Sequence, residues 1–217
     1  MKITHHPSDA SLMSCSAGSM PEAFAAVMAS HIAMCPCCRG TLSTMEHIGT
    51  ALFDQLPPTP VSRPAPVAAL RAMDADVPSQ GPAQEAGVLG DVPDPLVKVL
   101  GTSLDDVPWK RVGPGVWSHN ITLSDPSRGD LRLIKIAPGQ VVPDHGHHGN
   151  EMTLVLRGAY SDASGVYRAG DVADLDEHIE HQPIADPVEG CICLIAVEGR
   201  LKFKSRVARL VQPFTGF

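Results

Sequence analysis

The stretch Gly139-Gln-Val-Val-Pro-Asp-His145-Gly-His147-His-Gly-Asn-Glu151-Met-Thr-Leu-Val-Leu-Arg-Gly158 decides the fold of the C-terminal half. Histidines at i and i+2 on an extended segment point to the same side of it. A short loop containing Gly149 lets the chain turn, so Glu151 can return a carboxylate to the same point, while Gly139 and Gly158 stand at strand ends where tight turns need glycine. Met152-Thr-Leu-Val-Leu is a short apolar run closed by Gly158, which reads as a buried strand. Two imidazoles and a carboxylate converging beside such a strand form a metal-binding pattern.

Runs of the same kind lie on either side. Leu131 and Leu133 lead to Pro138-Gly139, and Cys191-Ile-Cys-Leu-Ile-Ala-Val leads to Glu198-Gly199. From about Trp109 onward the chain is therefore expected to form short strands of an all-β sandwich or barrel. The spacing Gly139-x5-His145-x-His147-x3-Glu151-x6-Gly158 resembles the first motif of the cupins. The second motif is degenerate: after Gly170, Asp176 stands where that family usually has proline and His178 where it has glycine, but His181 keeps the register of the ligand histidine. The resemblance implies a jelly-roll barrel with a metal on His145, His147, Glu151 and His181, with His178 as a rival ligand. Three histidines and a carboxylate can hold Zn, Fe, Mn, Ni or Cu, so the donor set alone does not name the ion. His148 and His178 otherwise read as exposed loop residues. Cys191 and Cys193 alternate on one strand and face one side, either as core packing or as a redox-active pair beside the metal.

The N-terminal part is built differently. Seven of the eight methionines lie in residues 1–73, whereas seven of the nine aromatic residues lie beyond residue 100. Ser8 can cap a helix stopped by Gly18, and Ser19-x-x-Glu22 has capping-box spacing. Phe24, Val27, Met28, His31 and Cys35 then recur at helical spacing. Pro36 can start a third helix with Leu42, Met45, Leu52, Phe53 and Leu56 on its apolar side. A further short helix is expected over Pro66–Met73. Residues 57–95 hold nine of the twenty prolines, a density that neither sheet nor long helix tolerates. The expected division is a helical domain over 1–85, a proline-rich linker over 86–105 and the β-domain over 106–217.

His31-x3-Cys35-x2-Cys38 places an imidazole and a thiolate one helical turn apart, with a second thiolate at the start of the next helix. Structural zinc wants four such ligands, and His5 and His6 are the nearest candidates for the fourth. Cys37 competes with Cys38, and Cys15 reads as a core residue. The pattern is similar to the zinc-binding anti-sigma domain, which implies zinc on His6, His31, Cys35 and Cys38. With the cupin-like segments Thr153-Leu-Val-Leu-Arg-Gly-Ala, Glu180-His-Gln-Pro and Cys191-Ile-Cys-Leu, the chain resembles the ChrR-type anti-sigma factors over nearly its whole length. That resemblance implies an α+β protein of two domains with zinc in each. It also implies that the N-terminal domain sequesters an extracytoplasmic-function sigma factor as a one-to-one heterodimer. The cupin would release that partner in response to singlet oxygen or organic hydroperoxide.

Composition limits the alternatives. The 217 residues are 43% hydrophobic and 19% charged, enough apolar side chain to bury a core. Seventeen Lys+Arg against 24 Asp+Glu, with no basic run, argue against direct nucleic-acid binding. No stretch approaches the roughly 18 apolar residues of a membrane span, and the first residues carry no apolar signal core, so a cytoplasmic protein is expected. The competing expectation is a cupin metalloenzyme of dioxygenase or isomerase type carrying an N-terminal zinc module.

Overall fold

The computed structural model describes residues 2–59, 71, 88–124, 129–199 and 201–203, with backbone alone at 88–89 and 201–203. The helix expected over Pro66–Met73 lies outside these residues, Arg71 excepted. Three helices open the chain: α1 (Asp9–Ser16), α2 (Glu22–Met34) and α3 (Pro36–Phe53). The Ser8 hydroxyl accepts the Ser11 N–H at 3.2 Å to cap α1, and the chain leaves that helix through Gly18 at φ 64°, a conformation that favours glycine.

The second helix starts at Glu22 without a capping box. The Ser19 hydroxyl turns to the Ser14 carbonyl at 3.2 Å, Pro21 occupies the cap position, and the Glu22 carboxylate accepts the Ser124 N–H at 2.9 Å. Both side chains of the expected box are engaged elsewhere. Pro36 opens α3 from a cap at Cys35, whose Sγ accepts the Cys38 N–H at 3.5 Å.

Within the span read as linker, residues 88–104 are folded. Strands β1 (Val88–Leu89) and β2 (Val92–Pro93) pair antiparallel and lead into helix α4 (Asp94–Leu100). Val92, Leu96, Leu100 and Leu104 join the same buried cluster as α2. Proline is tolerated here because Pro93 closes a strand and Pro95 lies in the first turn of a helix.

The β-part contains β3 (Lys110–Gly113), β4 (Val116–Ile121), β5 (Asp130–Ile136), β6 (His145–His147), β7 (Glu151–Asp162), β8 (Gly165–Arg168), β9 (Val172–Leu175), β10 (Ile184–Ala185), β11 (Cys191–Val197) and β12 (Leu201–Phe203). The antiparallel order is β10-β7-β11-β5-β4-β3, with β8 and β9 also on β7, and β6 pairs with β12. Alternation divides the strand residues between two cores. Leu131, Leu133, Met152, Leu154, Ile192 and Leu194 pack under Phe24, Val27 and Met28 of α2. Ile134, Ile136, Val155, Tyr160, Cys191 and Cys193 fill the other side, the interior of the jelly roll. Burial on both faces explains why these strands read as nearly continuous apolar runs rather than as alternating ones.

The architecture is the expected α+β pair, a helical N-terminal part and an antiparallel jelly-roll part. Among the described residues the apolar side of α3 is covered only in part. Of the apolar side assigned to α3, Met45 packs against the core, but Leu52, Phe53 and Leu56 are 61%, 72% and 63% exposed. Helical spacing reports an apolar face, and nothing among the described residues covers the outer half of this one.

Candidate metal centres

The α2–α3 junction gathers the first cluster. His31 lies in the last turn of α2, Cys35 at the cap of α3 and Cys38 in its first turn, while His6 arrives on the segment before α1. One donor atom from each lies within 4.8 Å of every other. His6 Nδ1 stands 3.3 Å from Cys38 Sγ and 3.5 Å from Cys35 Sγ. A tetrahedral ion of zinc's size, with ligands at about 2.0–2.3 Å, sets its donors roughly 3.3–3.8 Å apart, so the geometry fits such an ion. His31 Nε2 is buried with no hydrogen-bond partner among the described residues, while the ring's other nitrogen, Nδ1, lies 2.9 Å from the Gly170 carbonyl. Burial pushes His31 down to about 4, leaving a neutral ring ready to ligate. Burial and the neighbouring Cys35 push the Cys38 thiol up to about 12, so a pair of thiolates here calls for a cation between them.

The alternatives left open by spacing separate in space. Cys37 is exposed and Cys38 buried. His5 packs against Tyr167 instead, with ring centroids 4.3 Å apart and the planes tilted by 34°. Cys15 is half-buried against the core.

The second cluster lies inside the jelly roll. His145, His147, Glu151 and His181 are all at most 5% exposed. His145 and His147 come from β6, Glu151 opens β7, and His181 is set opposite His145 by two backbone hydrogen bonds of 3.0 and 3.1 Å. That bridge keeps His181 in register without the proline and glycine of the usual motif. His147 Nε2 lies 2.9 Å from Glu151 Oε2, and the Nε2 atoms of His181 and His145 lie 3.2 Å apart. Burial opposes ionisation of Glu151, yet the hydrogen bond from His147 and the surrounding imidazoles hold its carboxyl down to about 2. Burial also lowers His145. Three imidazoles facing a carboxylate can hold a divalent ion. His148 and His178 are exposed, and the His178 N–H bonds to Asp176 within a loop.

Several supporting residues escaped the spacing argument. Asp162 Oδ2 lies 3.0 Å from His181 Nδ1, and the Thr153 hydroxyl donates to Glu151 Oε1 at 3.0 Å. Asp171, 1% exposed, lies beside the first cluster. Only the strand period could have pointed to Thr153, which shares the Glu151 face two residues on. Cys191 and Cys193 face the interior with Sγ atoms 3.2 Å apart, and the contact with Cys191, together with burial, raises Cys193 well above an ordinary thiol. Tyr160 is raised by burial in the same interior.

Comparison with known proteins agrees with both halves. Residues 98–199 match the family described as the ChrR cupin-like domain. The chain is 37% identical over 214 residues to the anti-sigma-E factor ChrR of Cereibacter sphaeroides, covering 99% of each. It also superposes with a TM-score of 0.77 and 35% identity on a crystal structure of Rhodobacter sphaeroides SigE in complex with the anti-sigma ChrR, covering 90% of this chain and 99% of that one. By architecture, by its two donor clusters and by likeness along its whole length, this chain belongs to the ChrR family of anti-sigma factors.

Proposed function

We propose that this protein is a negative regulator of transcription. It would hold an extracytoplasmic-function sigma factor in a one-to-one complex in the cytoplasm and release it when an oxidant acts on the β-domain. The observation that carries the reading is likeness along 99% of the chain to an anti-sigma factor. Residues 1–85 make the inhibitory contact in this reading, residues 106–217 receive the signal, and residues 86–105 join them. The exposed apolar ridge Ile48, Leu52 and Phe53 on α3, continued by Leu56 just past its end, supports a docking surface for the partner, since contiguous exposed apolar side chains mark interaction sites.

His6, His31, Cys35 and Cys38 would hold zinc in the helical part, and His145, His147, Glu151 and His181 would hold zinc in the jelly roll. Zinc supplies no redox change of its own; it ties chain segments together through bonds to nitrogen, sulfur and oxygen. The soft targets beside the second site are Cys191 and Cys193. A hydroperoxide that takes two electrons and two protons from this pair would be reduced to alcohol and water and leave a disulfide. Singlet oxygen would attack the same thiols or the imidazoles. The near-complete burial of the second cluster favours a small oxidant over a bulky organic substrate, against the reading as a cupin metalloenzyme.

The test is co-expression with a candidate sigma factor, followed by pull-down and metal analysis. Expected are co-purification, two equivalents of zinc, and retention of partner binding by a fragment ending at Glu85. A fragment that folds and binds zinc but has no affinity for any sigma factor overturns the reading.

A further inference from the structure

The N-terminal cluster is not self-supporting. Its inner histidine, His31, directs Nδ1 at the Gly170 carbonyl, 2.9 Å away, in the turn between β8 and β9. With that nitrogen donating, the proton is fixed on Nδ1 and the lone pair on Nε2, the atom that faces the cluster and has no other partner among the described residues. The next residue in the turn, Asp171, holds the segment that carries His6. Its Oδ1 accepts the backbone N–H groups of Thr4 at 2.6 Å and His5 at 3.0 Å, and its Oδ2 accepts the Arg168 N–H at 2.8 Å. The Val172 N–H donates to the His5 carbonyl at 3.1 Å. Two residues further on, Asp174 Oδ2 accepts the Ser8 N–H at 3.0 Å and the Ser11 hydroxyl at 2.7 Å, anchoring the start of α1. Residues 4–8 are therefore tied at both ends of His6 to one short segment of the β-part, which is 163 or more positions away in sequence.

We propose that the Gly170–Asp171 turn is the outer support of the N-terminal metal site, with Asp171 as a positioning residue for His6 and the Gly170 carbonyl as the group that orients His31. The β-part thereby sets the metal affinity of the helical part. This inference rests on the reading of His6, His31, Cys35 and Cys38 as ligands. Partners of this kind hold ligands in orientation, and their removal ordinarily costs 10–100-fold in metal affinity. Asp171 is suited to the role because it is 1% exposed and its carboxyl, although buried, is kept below the usual range by the N–H groups of Arg168, Thr4 and His5. Its hydrogen bonds reach the cluster through the backbone that leads to His6.

The test uses the full-length protein and Co²⁺ alone as the probe. Cobalt on two thiolates gives a sulfur-to-metal charge-transfer band that a site of three histidines and one glutamate lacks, so the two clusters are read separately. Asp171→Ala is expected to weaken cobalt binding at the thiolate site by about 10–100-fold and leave the second site within about twofold. Thr4→Pro removes one N–H donor without touching the β-part and is expected to change the same band in the same direction by a smaller factor, while Asp171→Asn, which keeps an acceptor oxygen, recovers part of the loss. Unchanged thiolate-site affinity in both Asp171→Ala and Thr4→Pro overturns the proposal. So does an equal loss at both clusters, which would report general destabilisation. Absence of any thiolate band in the unaltered protein overturns the ligand reading beneath it, a result distinct from either.

Discussion

The two donor clusters are held in opposite ways. The jelly-roll cluster is assembled by paired strands: β6 on β12, β7 in the large sheet and the His145–His181 bridge hold all four side chains, each at most 5% exposed. The N-terminal cluster is assembled from three separate pieces, the segment at His6, the end of α2 and the start of α3, and His6 is exposed. A site built on paired strands has its geometry before an ion arrives. A site built on helix ends and a leading segment depends on the ion, and on neighbours, to hold those pieces together. The first arrangement suits a receiver whose surroundings must stay fixed, the second a clasp that must be able to open.

The largest effect that would sharpen this contrast is expected from Cys35→Ala. Structural zinc supplies roughly 10–16 kcal/mol of apparent binding energy in small domains, so loss of one of four ligands should release the metal and loosen α1 and α3. The sheet should survive, because its interior core includes none of these residues. Circular dichroism and zinc analysis would check this, with constitutive transcription of the sigma regulon as the cellular readout. Intact zinc content and repression would break the comparison.

A smaller effect follows from pH. His31 sits at about 4 in the folded chain against 6.5 for a free imidazole. Between those values the unfolded, metal-free chain takes up a proton that the folded chain refuses, so stability falls as pH drops across that window, by roughly 3 kcal/mol in all. Urea unfolding of chelated protein at both ends of the window measures this. His31→Gln should flatten the slope by that share, although His145, lowered in the same sense, retains its own.

Phe53→Ser, at a side chain 72% exposed, should leave thermal stability within about 0.5 kcal/mol but weaken sigma-factor binding by roughly 2 kcal/mol, or about thirtyfold. Titration calorimetry with the partner would decide it. Smallest in energy is the response expected of the jelly-roll cluster. Glu151→Ala or His181→Ala should empty the second site and leave repression intact, yet blunt induction by singlet oxygen. A tenfold change in partner affinity needs only about 1.4 kcal/mol of coupling. Normal induction in both variants would move the sensor elsewhere, with the Cys35, Cys37 and Cys38 cluster first in line.

The donors of both clusters were legible because their spacing is local: i, i+2 on a strand for His145 and His147, and one helical turn for His31 and Cys35. His181 was legible only through its register, and the reason it holds that register is backbone pairing with His145, which no turn residue announces. Spacing left Cys38 beside Cys37 and His6 beside His5, and the family resemblance alone chose between them; the fold supplies the physical reason, since neighbours in sequence differ only in which way they face. Asp162, Asp171 and Asp174 were not legible at all. Asp171 and Asp174 act on residues 166 positions away and Asp162 on one 19 away, and an aspartate carries no mark of a partner outside its own turn or strand. The outer half of α3 shows the converse: its periodic apolar face was legible as a face, but what covers it was not.

That outer half has a kinetic consequence. From Glu46 to Phe53 every residue of α3 is exposed, and Gly49 and Thr50 are poor helix formers, so backbone hydrogen bonds there open at little cost while those near Cys38 are backed by the core. Amide hydrogens along this single helix should exchange with deuterium in a gradient, fast at the tip and slow at the root, over a distance of only a few turns. A partner that closes over the tip would slow exchange there first, which makes the end of α3 a built-in reporter of capture and release.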